Sequence, residues 1–238
     1  MIGVLLPTRG RYEALERCLD SLANSDGAEY MEIVVIADQD RKSFNIVRGF
    51  LHKKEFGGFG RLRVHLSKDR MYSVKAFNKA LEMCESNIFT WINDECTFEE
   101  WWLGNLYKTF IKTFSDHIGV VNAGHKRTKV GFGMTSRKFI EHNNGEWFHP
   151  GYSMFYADDE LACRAVLLGR YEFLKDNGIY HDQEVLNNIP ILSWEERQQK
   201  MVDDRGIFRQ RLSRNFDLDP NKICRWEGFR DINEPLIN

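Results

Sequence analysis

The sequence predicts one α/β domain built around a mostly parallel, doubly wound sheet. Through the first half of the chain, short apolar runs of strand length alternate with amphipathic segments of helical period. This alternation is typical of parallel strands joined by crossover helices. Polar residues follow directly after three of the apolar runs, where the ligand sites of such sheets lie. A chain of 238 residues is long enough to bury one substantial core.

The elements can be placed in order along the chain. Apolar or alternating runs predict strands at residues 2–6, 32–37, 62–66, 87–92 and 118–122. Apolar residues at helical spacing predict helices at 12–22, 44–51, 73–84 and 98–114. In the less regular second half, 130–135 is either a strand or a close approach of backbone, and helices are predicted at 137–142 and 158–168. The strongly charged C-terminal part is predicted to be helical over 195–214.

Composition excludes several classes of protein. Hydrophobic residues make up 42% and charged residues 29% of the chain, and the net charge is −2. This balance provides no overall attraction to nucleic acid or to an anionic membrane. The five scattered cysteines include no CxxC pair, so neither a disulfide framework nor a structural zinc site is expected. Free thiols suit a reducing compartment, which predicts a cytoplasmic location.

No targeting or membrane segment is predicted. The apolar N-terminal residues lack the basic flank and the length of a signal sequence, and they are expected to form the first strand. No apolar run approaches the roughly 20 residues that a membrane-spanning helix needs.

The chemistry is predicted at three polar strand ends that would meet at one edge of the sheet. They are Pro7-Thr8-Arg9, Asp38-Gln39-Asp40 and Asn93-Asp94-Glu95. Adjacent carboxylates at a strand end repel each other unless a cation or hydrogen-bond donors compensate. Mg²⁺ or Mn²⁺, held by one or two carboxylates and by phosphate oxygens, would provide that compensation. Taken alone, the acidic pair could also be two solvated loop residues.

Two further groups are candidates for the same cleft. Asp158, Asp159 and Glu160 lie where a helix should begin, and acids there are favoured by the helix dipole. Three acids in a row exceed what a helix cap requires. His181 follows a short apolar run, and it is either a structural histidine or a residue facing the cleft.

These pieces, in this order, resemble the family-2 glycosyltransferases of the glycosyltransferase A fold. The stretches VLLPTRGRYEALERCLDSL, EIVVIADQD, FNKALEMCESNIFTWINDECTF and YADDELACRAVLLG carry the likeness, over about residues 1–185. The resemblance implies a Rossmann-like catalytic domain at 1–190, with a nucleotide-sugar half at 1–97, an acceptor half at 98–190 and a charged helical extension at 191–238.

The resemblance also implies roles for individual residues. The nucleotide would be bound by Pro7, Thr8, Arg9, Asp38, Arg70 and Asp94. Asp94, Glu95 and His181 would hold Mn²⁺ or Mg²⁺. Asp158 would be the catalytic base, with Asp159 in reserve, because Ala157 stands where the family has Glu and the register is ambiguous by one residue. Trp101, Trp147 and Tyr156 would stack on the acceptor.

The activity implied is metal-dependent, inverting transfer of a hexosyl or pentosyl group from a nucleoside-diphosphate sugar, a UDP-sugar foremost, to an acceptor hydroxyl. The acceptor could be a saccharide, a lipid, a protein or a modified nucleic-acid base. Two alternatives remain open. A non-catalytic module would bind a sugar nucleotide or glycan without turnover. A sugar nucleotidyltransferase fits less well, because PTRGR has one glycine where that class has a glycine-rich signature.

Overall fold

The fold is that of a mixed α/β protein with one large central sheet. The computed structural model describes residues 1–52, 59–182 and 192–224. Seven strands form the central sheet in the order β3-β2-β1-β4-β7-β6-β8. They are β1 (Ile2–Thr8), β2 (Met31–Ala37), β3 (Arg61–Leu66), β4 (Ile88–Trp91), β6 (Val120–Asn122), β7 (Gly133–Ser136) and β8 (Tyr171–Phe173). A small second sheet pairs β5 (Cys96–Phe98) with β9 (Ile179–His181).

Helices cover both faces of the central sheet, as predicted. They are α1 (Tyr12–Ala23), α2 (Arg41–His52), α3 (Tyr72–Met83), α4 (Trp102–Thr113), α5 (Arg137–His142), α6 (Ala157–Leu167) and α7 (Trp194–Leu212). Successive side chains of a strand point to opposite faces. Leu5 of β1 accordingly packs in the core with α3 and α6, whereas its neighbours Val4 and Leu6 pack in the core with α1 and α4.

The first four strands of the sheet are parallel, and one later strand is not. β1 pairs in parallel with both β2 and β4, so their carboxyl ends lie at the same edge. β7 runs antiparallel between β4 and β6, which the uniformly parallel pattern of the first half does not anticipate. A side chain at Gly133 of β7 would meet the Val121 carbonyl oxygen at 2.4 Å. The segment thus forms a strand, and at Gly133 its backbone also lies close to the backbone of β6.

The predicted helix at 98–114 is wrong at its beginning. Residues 96–98 form strand β5, and the helix begins at Trp102. The Ser21 hydroxyl explains this boundary locally: it accepts a hydrogen bond from the Phe98 amide at 2.7 Å and donates one to the Phe98 carbonyl. These bonds fix the backbone of β5 against α1 in an extended conformation.

The C-terminal helix α7 is part of the folded unit. Ser193 caps it by accepting a hydrogen bond from the Glu196 amide. Asp204, Phe208 and Arg211 are buried against the rest of the chain. Their burial is compensated in different ways: Arg211 pairs with Glu160 of α6 and Glu146 of the loop before it, Asp204 accepts hydrogen bonds from backbone amides, and Phe208 packs in the core. No helix within the described ranges has both the length and the apolar character needed to cross a membrane.

Candidate active site

A cavity lies at the carboxyl ends of β1, β2 and β4, beside the start of α3. Its lining consists of Pro7, Thr8, Arg9, Arg11, Asp38, Arg70, Tyr72, Ser73, Ala76, Asn93 and Asp94. All six residues predicted to bind a nucleotide are in this set. Parallel pairing explains the convergence, because it brings these three strands to the same edge of the sheet.

Asp38 shapes one wall of the cavity. Its buried carboxylate accepts hydrogen bonds from the backbone amides of Met71 at 2.7 Å and Tyr72 at 3.2 Å. Arg70 lies 3.0 Å from the same carboxylate, and Arg9 donates to the Asp38 carbonyl oxygen at 2.7 Å. Tyr72 has a positive φ of 56°, which is uncommon for a residue with a side chain. Asp38 therefore fixes an unusual turn that carries Arg70 into the cavity wall.

The acidic pair at the end of β4 is buried and fully engaged by the protein. Asp94 and Glu95 are each 3% exposed. Thr8 donates to Asp94 Oδ2 at 2.7 Å, and Arg11 donates to Asp94 Oδ1 at 3.0 Å and to Glu95 Oε2. His181 Nε2 lies 2.8 Å from Glu95 Oε1. Each of the four carboxylate oxygens thus has a hydrogen-bonding partner.

The two carboxyls differ in how readily they ionise. Burial, reinforced by the neighbouring Glu95, raises the pKa of Asp94 to about 8. Burial acts in the same direction on Glu95, but the hydrogen bond with His181, the contact with Asp94 and the charge of Arg11 outweigh it and lower the pKa of Glu95 to about 2. Glu95 consequently holds the negative charge of the pair most firmly.

The small sheet explains why His181 reaches the acidic pair. β9 pairs antiparallel with β5, which places His181 opposite Cys96, the residue after Glu95. The Asp182 amide also donates to the Glu95 carbonyl oxygen at 3.1 Å. The structure thus brings His181 against Glu95, although the ring is not among the residues that line the cavity.

The predicted metal ligands do not fit a divalent ion in this arrangement. The point between the two carboxylates, where a shared ion would lie, is taken by the Arg11 guanidinium. His181 is directed at the other oxygen of Glu95. Over the part of the chain that the structure describes, no group of three or more histidine, cysteine or acidic side chains is placed to hold a metal ion.

A second acidic group begins helix α6. Tyr156, with φ 64°, turns the chain into the helix. Lys129 Nζ lies 3.2 Å from Asp158 Oδ2 and 3.7 Å from Asp159 Oδ2. The Asp158 side chain is 19% exposed and that of Asp159 is 9% exposed. Asp158 is therefore the more accessible of the two candidate bases.

Ionisation of this group is perturbed by burial and by Lys129. Burial, followed by the charge of Asp158, raises the pKa of Asp159 to about 7, and Lys129 opposes that rise. In return, the charge of Asp158 raises the pKa of Lys129. Glu160 is separate, because it is fully buried and binds Arg211, Arg164 and the Tyr152 hydroxyl.

Helix α7 holds the backbone that leads into the second acidic group. The Asp204 carboxylate accepts hydrogen bonds from the amides of Ser153, Met154 and Phe155, each at 2.9 Å. Arg211 of the same helix donates to Glu160 at 2.8 and 2.9 Å. The start of α6 is thus fixed from outside the sheet by buried charges of the C-terminal helix.

One predicted acceptor residue is wrong. Trp147 is 3% exposed and stacks on Phe148 with ring centroids 4.1 Å apart, so its ring is core and cannot meet an acceptor. Trp101 is 45% exposed and stays a prediction. Tyr156 is half-buried, with its hydroxyl accepting from Arg205 at 2.9 Å, and its role also stays a prediction.

Sequence reasoning missed the two cations of the site. Arg11 stands three residues after Thr8 and was not assigned a role, although a buried acidic pair at the same sheet edge requires a nearby cation. Lys129 belongs to the basic stretch HKRTK. Such a stretch is typical of a solvated loop, and it does not predict that Lys129 has an acidic partner. Asp204 lies in a charged segment that gives no signal of burial.

Solved structures of similar fold include a mannosyltransferase and TarS. The chain is 16% identical to a mannosyltransferase from Pyrobaculum calidifontis in complex with GDP-Man and Mn²⁺, with a TM-score of 0.65 over 88% of this chain and 64% of the other. It is 17% identical to S. aureus TarS, with a TM-score of 0.63 over 88% of this chain and 43% of that one. Residues 1–349 of TarS in complex with UDP give a TM-score of 0.62 at 17% identity, over 96% and 74% of the two chains.

These likenesses show that the fold is the glycosyltransferase A fold. Residues 3–178 match glycosyl transferase family 2, and the chain belongs to that family. No curated protein matches the sequence. The chain spans 64% of the mannosyltransferase and 43% of the longer TarS chain.

Proposed function

We propose that this protein transfers a sugar, with inversion, from a nucleoside-diphosphate donor to an acceptor hydroxyl. The observation that carries the proposal is the convergence of all six predicted nucleotide-binding residues on one cavity at the sheet edge. Family membership supports the same chemistry. The related structures contain GDP-Man, UDP or UDP-GlcNAc, so a hexosyl donor, UDP-linked foremost, is the first to test.

The proposed division of labour follows the two halves of the chain. Residues 1–97 would bind the nucleotide, with Thr8 and Asp38 beside the base and ribose and with Arg9 and Arg70 facing the diphosphate. Arginine is suited to this role because its planar fork makes paired, charge-assisted bonds to phosphate oxygens. Residues 98–190 would bind the acceptor, with Trp101 and Tyr156 as candidate stacking residues.

Asp158 is the proposed general base. It would remove the proton from the acceptor hydroxyl as that oxygen forms a bond to the anomeric carbon and the bond to the diphosphate breaks on the opposite face. Its greater exposure than Asp159 supports this choice. Lys129 Nζ, 3.2 Å from Asp158 Oδ2, would hold the carboxylate in place until an acceptor displaces the ammonium group. No step of this mechanism is assigned to a metal, because Asp94, Glu95 and His181 do not fit one as they are arranged.

The test measures binding and turnover separately. Calorimetric titration with UDP, GDP, CDP and dTDP, in EDTA and in Mn²⁺, should identify one preferred diphosphate. Ser73→Trp, which places a large side chain in the cavity lining, should weaken that binding by about tenfold or more. Lys75→Trp is the matched control, because Lys75 is exposed on the same helix and outside the cavity.

Turnover then distinguishes the enzyme from a binding module. Release of the diphosphate from the corresponding sugar nucleotide, lost in Asp158→Asn, would support a transferase. Tight binding without release or transfer with any acceptor would favour the non-catalytic module. Absence of binding to every diphosphate under both conditions would contradict the donor site itself.

A further inference from the structure

Arg11 occupies the position that a cation shared by Asp94 and Glu95 would take. Its Nη1 atom lies 3.0 Å from Asp94 Oδ1 and 2.5 Å from Glu95 Oε2, so one oxygen of each carboxylate points at the same nitrogen. We infer that Arg11 supplies the fixed positive charge of the donor pocket, so that a nucleoside diphosphate binds there without a divalent metal. The inference rests on the proposed function, because it concerns how the same pocket takes its donor.

The remaining oxygens of the pair are also engaged. Thr8 donates to the second oxygen of Asp94 at 2.7 Å, and His181 lies 2.8 Å from the second oxygen of Glu95. An ion entering between the carboxylates would therefore have to displace the guanidinium. His181 Nε2 is directed at Glu95 Oε1, so the ring would have to leave that carboxylate oxygen before it could bind such an ion.

The charge of Arg11 is permanent and protected from solvent. Arginine stays protonated throughout the range in which proteins are folded, and Arg11 is 8% exposed. Its backbone is fixed as well, because the Arg11 carbonyl accepts the first hydrogen bond of α1 from Leu15 at 2.9 Å. A divalent ion at the same point would be repelled by this guanidinium in surroundings that screen charge weakly.

The lining of the cavity is already suited to an anionic ligand. Its charged members are three arginines, Arg9, Arg11 and Arg70, against two aspartates, Asp38 and Asp94. Together with Glu95, which shares the Arg11 guanidinium, three acids are matched by three arginines, so the protein's own side chains leave no excess of negative charge for a divalent ion to offset. In a cavity whose acids outnumbered its bases, a metal would be needed to reverse the sign.

The first experiment uses the unmodified protein. The preferred diphosphate is titrated by calorimetry in EDTA, in Mn²⁺ and in Mg²⁺, and the free protein is titrated with Mn²⁺ alone by electron paramagnetic resonance. We expect the three Kd values to agree within about twofold, well inside the tenfold that a real loss of interaction would exceed. We expect no saturable binding of Mn²⁺ to the free protein.

Variants test whether Arg11 is the reason. In Arg11→Ala the carboxylates lose their cation, so binding in EDTA should weaken by about 10- to 100-fold and Mn²⁺ should restore it. Arg11→Gln removes the charge at nearly the same length, in case the alanine variant does not fold. Arg17→Ala is the matched control, since Arg17 is on α1, the helix that Arg11 precedes, and its side chain is 51% exposed in a surface ion pair with Asp182.

The outcomes separate this inference from the proposed function. Binding of the diphosphate in Mn²⁺ but not in EDTA would overturn the inference and leave the donor site standing. If no diphosphate binds at all, the proposed function fails. The Mn²⁺ titration still tests the role of Arg11 in that case. Saturable Mn²⁺ binding by the unmodified protein that is abolished in Asp94→Asn would overturn the role inferred for Arg11. Mn²⁺ binding that is gained only in the Arg11 variants would support that role.

Discussion

Two pairs of adjacent carboxylates in this protein are each stabilised against mutual repulsion by one cation, but the two cations differ. Asp94 and Glu95 are buried at a strand end and are bridged by Arg11, which is itself 8% exposed. Asp158 and Asp159 start a helix and are bridged by Lys129, whose side chain is 43% exposed. In each pair, two neighbouring carboxylates share one cation.

The difference between the cations indicates what each pair can do. Arginine presents a rigid, permanently charged fork, whereas lysine is a point charge on a flexible chain. The Arg11-bridged pair is therefore a fixed part of the cavity at the sheet edge. The Lys129-bridged pair can open, because a half-exposed ammonium group moves into water at little cost. A carboxylate that must accept a proton from a substrate requires the second arrangement.

The largest expected effect breaks the Lys129-bridged pair at its accessible member. Asp158→Asn should lower the rate of transfer by about 10²- to 10⁴-fold, because an amide cannot take the proton of the acceptor hydroxyl. Affinity for the preferred diphosphate should be unchanged, since Asp158 is not part of the donor cavity. Steady-state rates and calorimetry on the same preparation measure the two quantities.

Asp159→Asn is the control for that experiment. We expect it to retain most of the activity, because Asp159 is the more buried of the two. Full activity in Asp158→Asn together with loss in Asp159→Asn would move the base by one residue.

A smaller effect is expected when the outside support of the Lys129-bridged pair is removed. Asp204→Asn takes a charged acceptor from the amides of residues 153–155 and should lower the rate of transfer by about tenfold. Donor KM and diphosphate affinity should stay as they are, because the Arg11-bridged pair is held within the sheet. Asp203→Asn, at an exposed neighbouring position, should have no effect. An equal loss in both variants would contradict a positioning role for Asp204.

The cavity at the sheet edge was largely predictable, because the end of a strand can be recognised from the few residues around it. Apolar runs that stop at Thr8, Asp38 and Asp94 show where the polar edge lies, and parallel pairing brings those ends together. The family resemblance and the α/β fold are confirmed. The order of the elements is also correct, apart from the antiparallel β7 and the short β5.

What could not be predicted depends on contacts between distant parts of the chain. Arg11 and Asp94 form a hydrogen bond although they are 83 residues apart in the sequence, and no pattern near either residue predicts the contact. Trp147 was misplaced for a related reason. Its aromatic ring makes it a candidate for stacking on the acceptor, but the ring packs against Trp91 and Phe89 of β4. Packing of this kind is decided by the whole fold.

The smallest expected effect is a shift in the pH dependence of transfer. Burial raises the pKa of Asp159 to about 7, so the Lys129-bridged pair keeps a proton below that pH. Activity should rise as pH increases through about 7, because loss of the Asp159 proton places a second negative charge beside Asp158 and strengthens the attraction of that carboxylate for the proton of the acceptor hydroxyl. The stability of the fold should change in the opposite direction. The Asp159 carboxyl ionises near pH 4 in the unfolded chain and near pH 7 in the folded protein, so the free energy of unfolding falls as pH rises from about 4 to about 7.

Replacing Lys129 sharpens the comparison with the Arg11-bridged pair. Lys129 lowers the pKa of Asp159, so Lys129→Ala should move the rise in activity to higher pH by about one unit. This shift is at the lower end of the effect of a nearby opposite charge, because the lysine is half-exposed. Lys129→Arg should restore the original profile, and Lys126→Ala, an exposed lysine of the same loop, should leave it unchanged. A profile that is identical in all four proteins would show that Lys129 does not act on the ionisation of the pair. In that event, the Arg11-bridged and Lys129-bridged pairs would differ in burial alone, and not in how their cations affect the ionisation of the carboxyls.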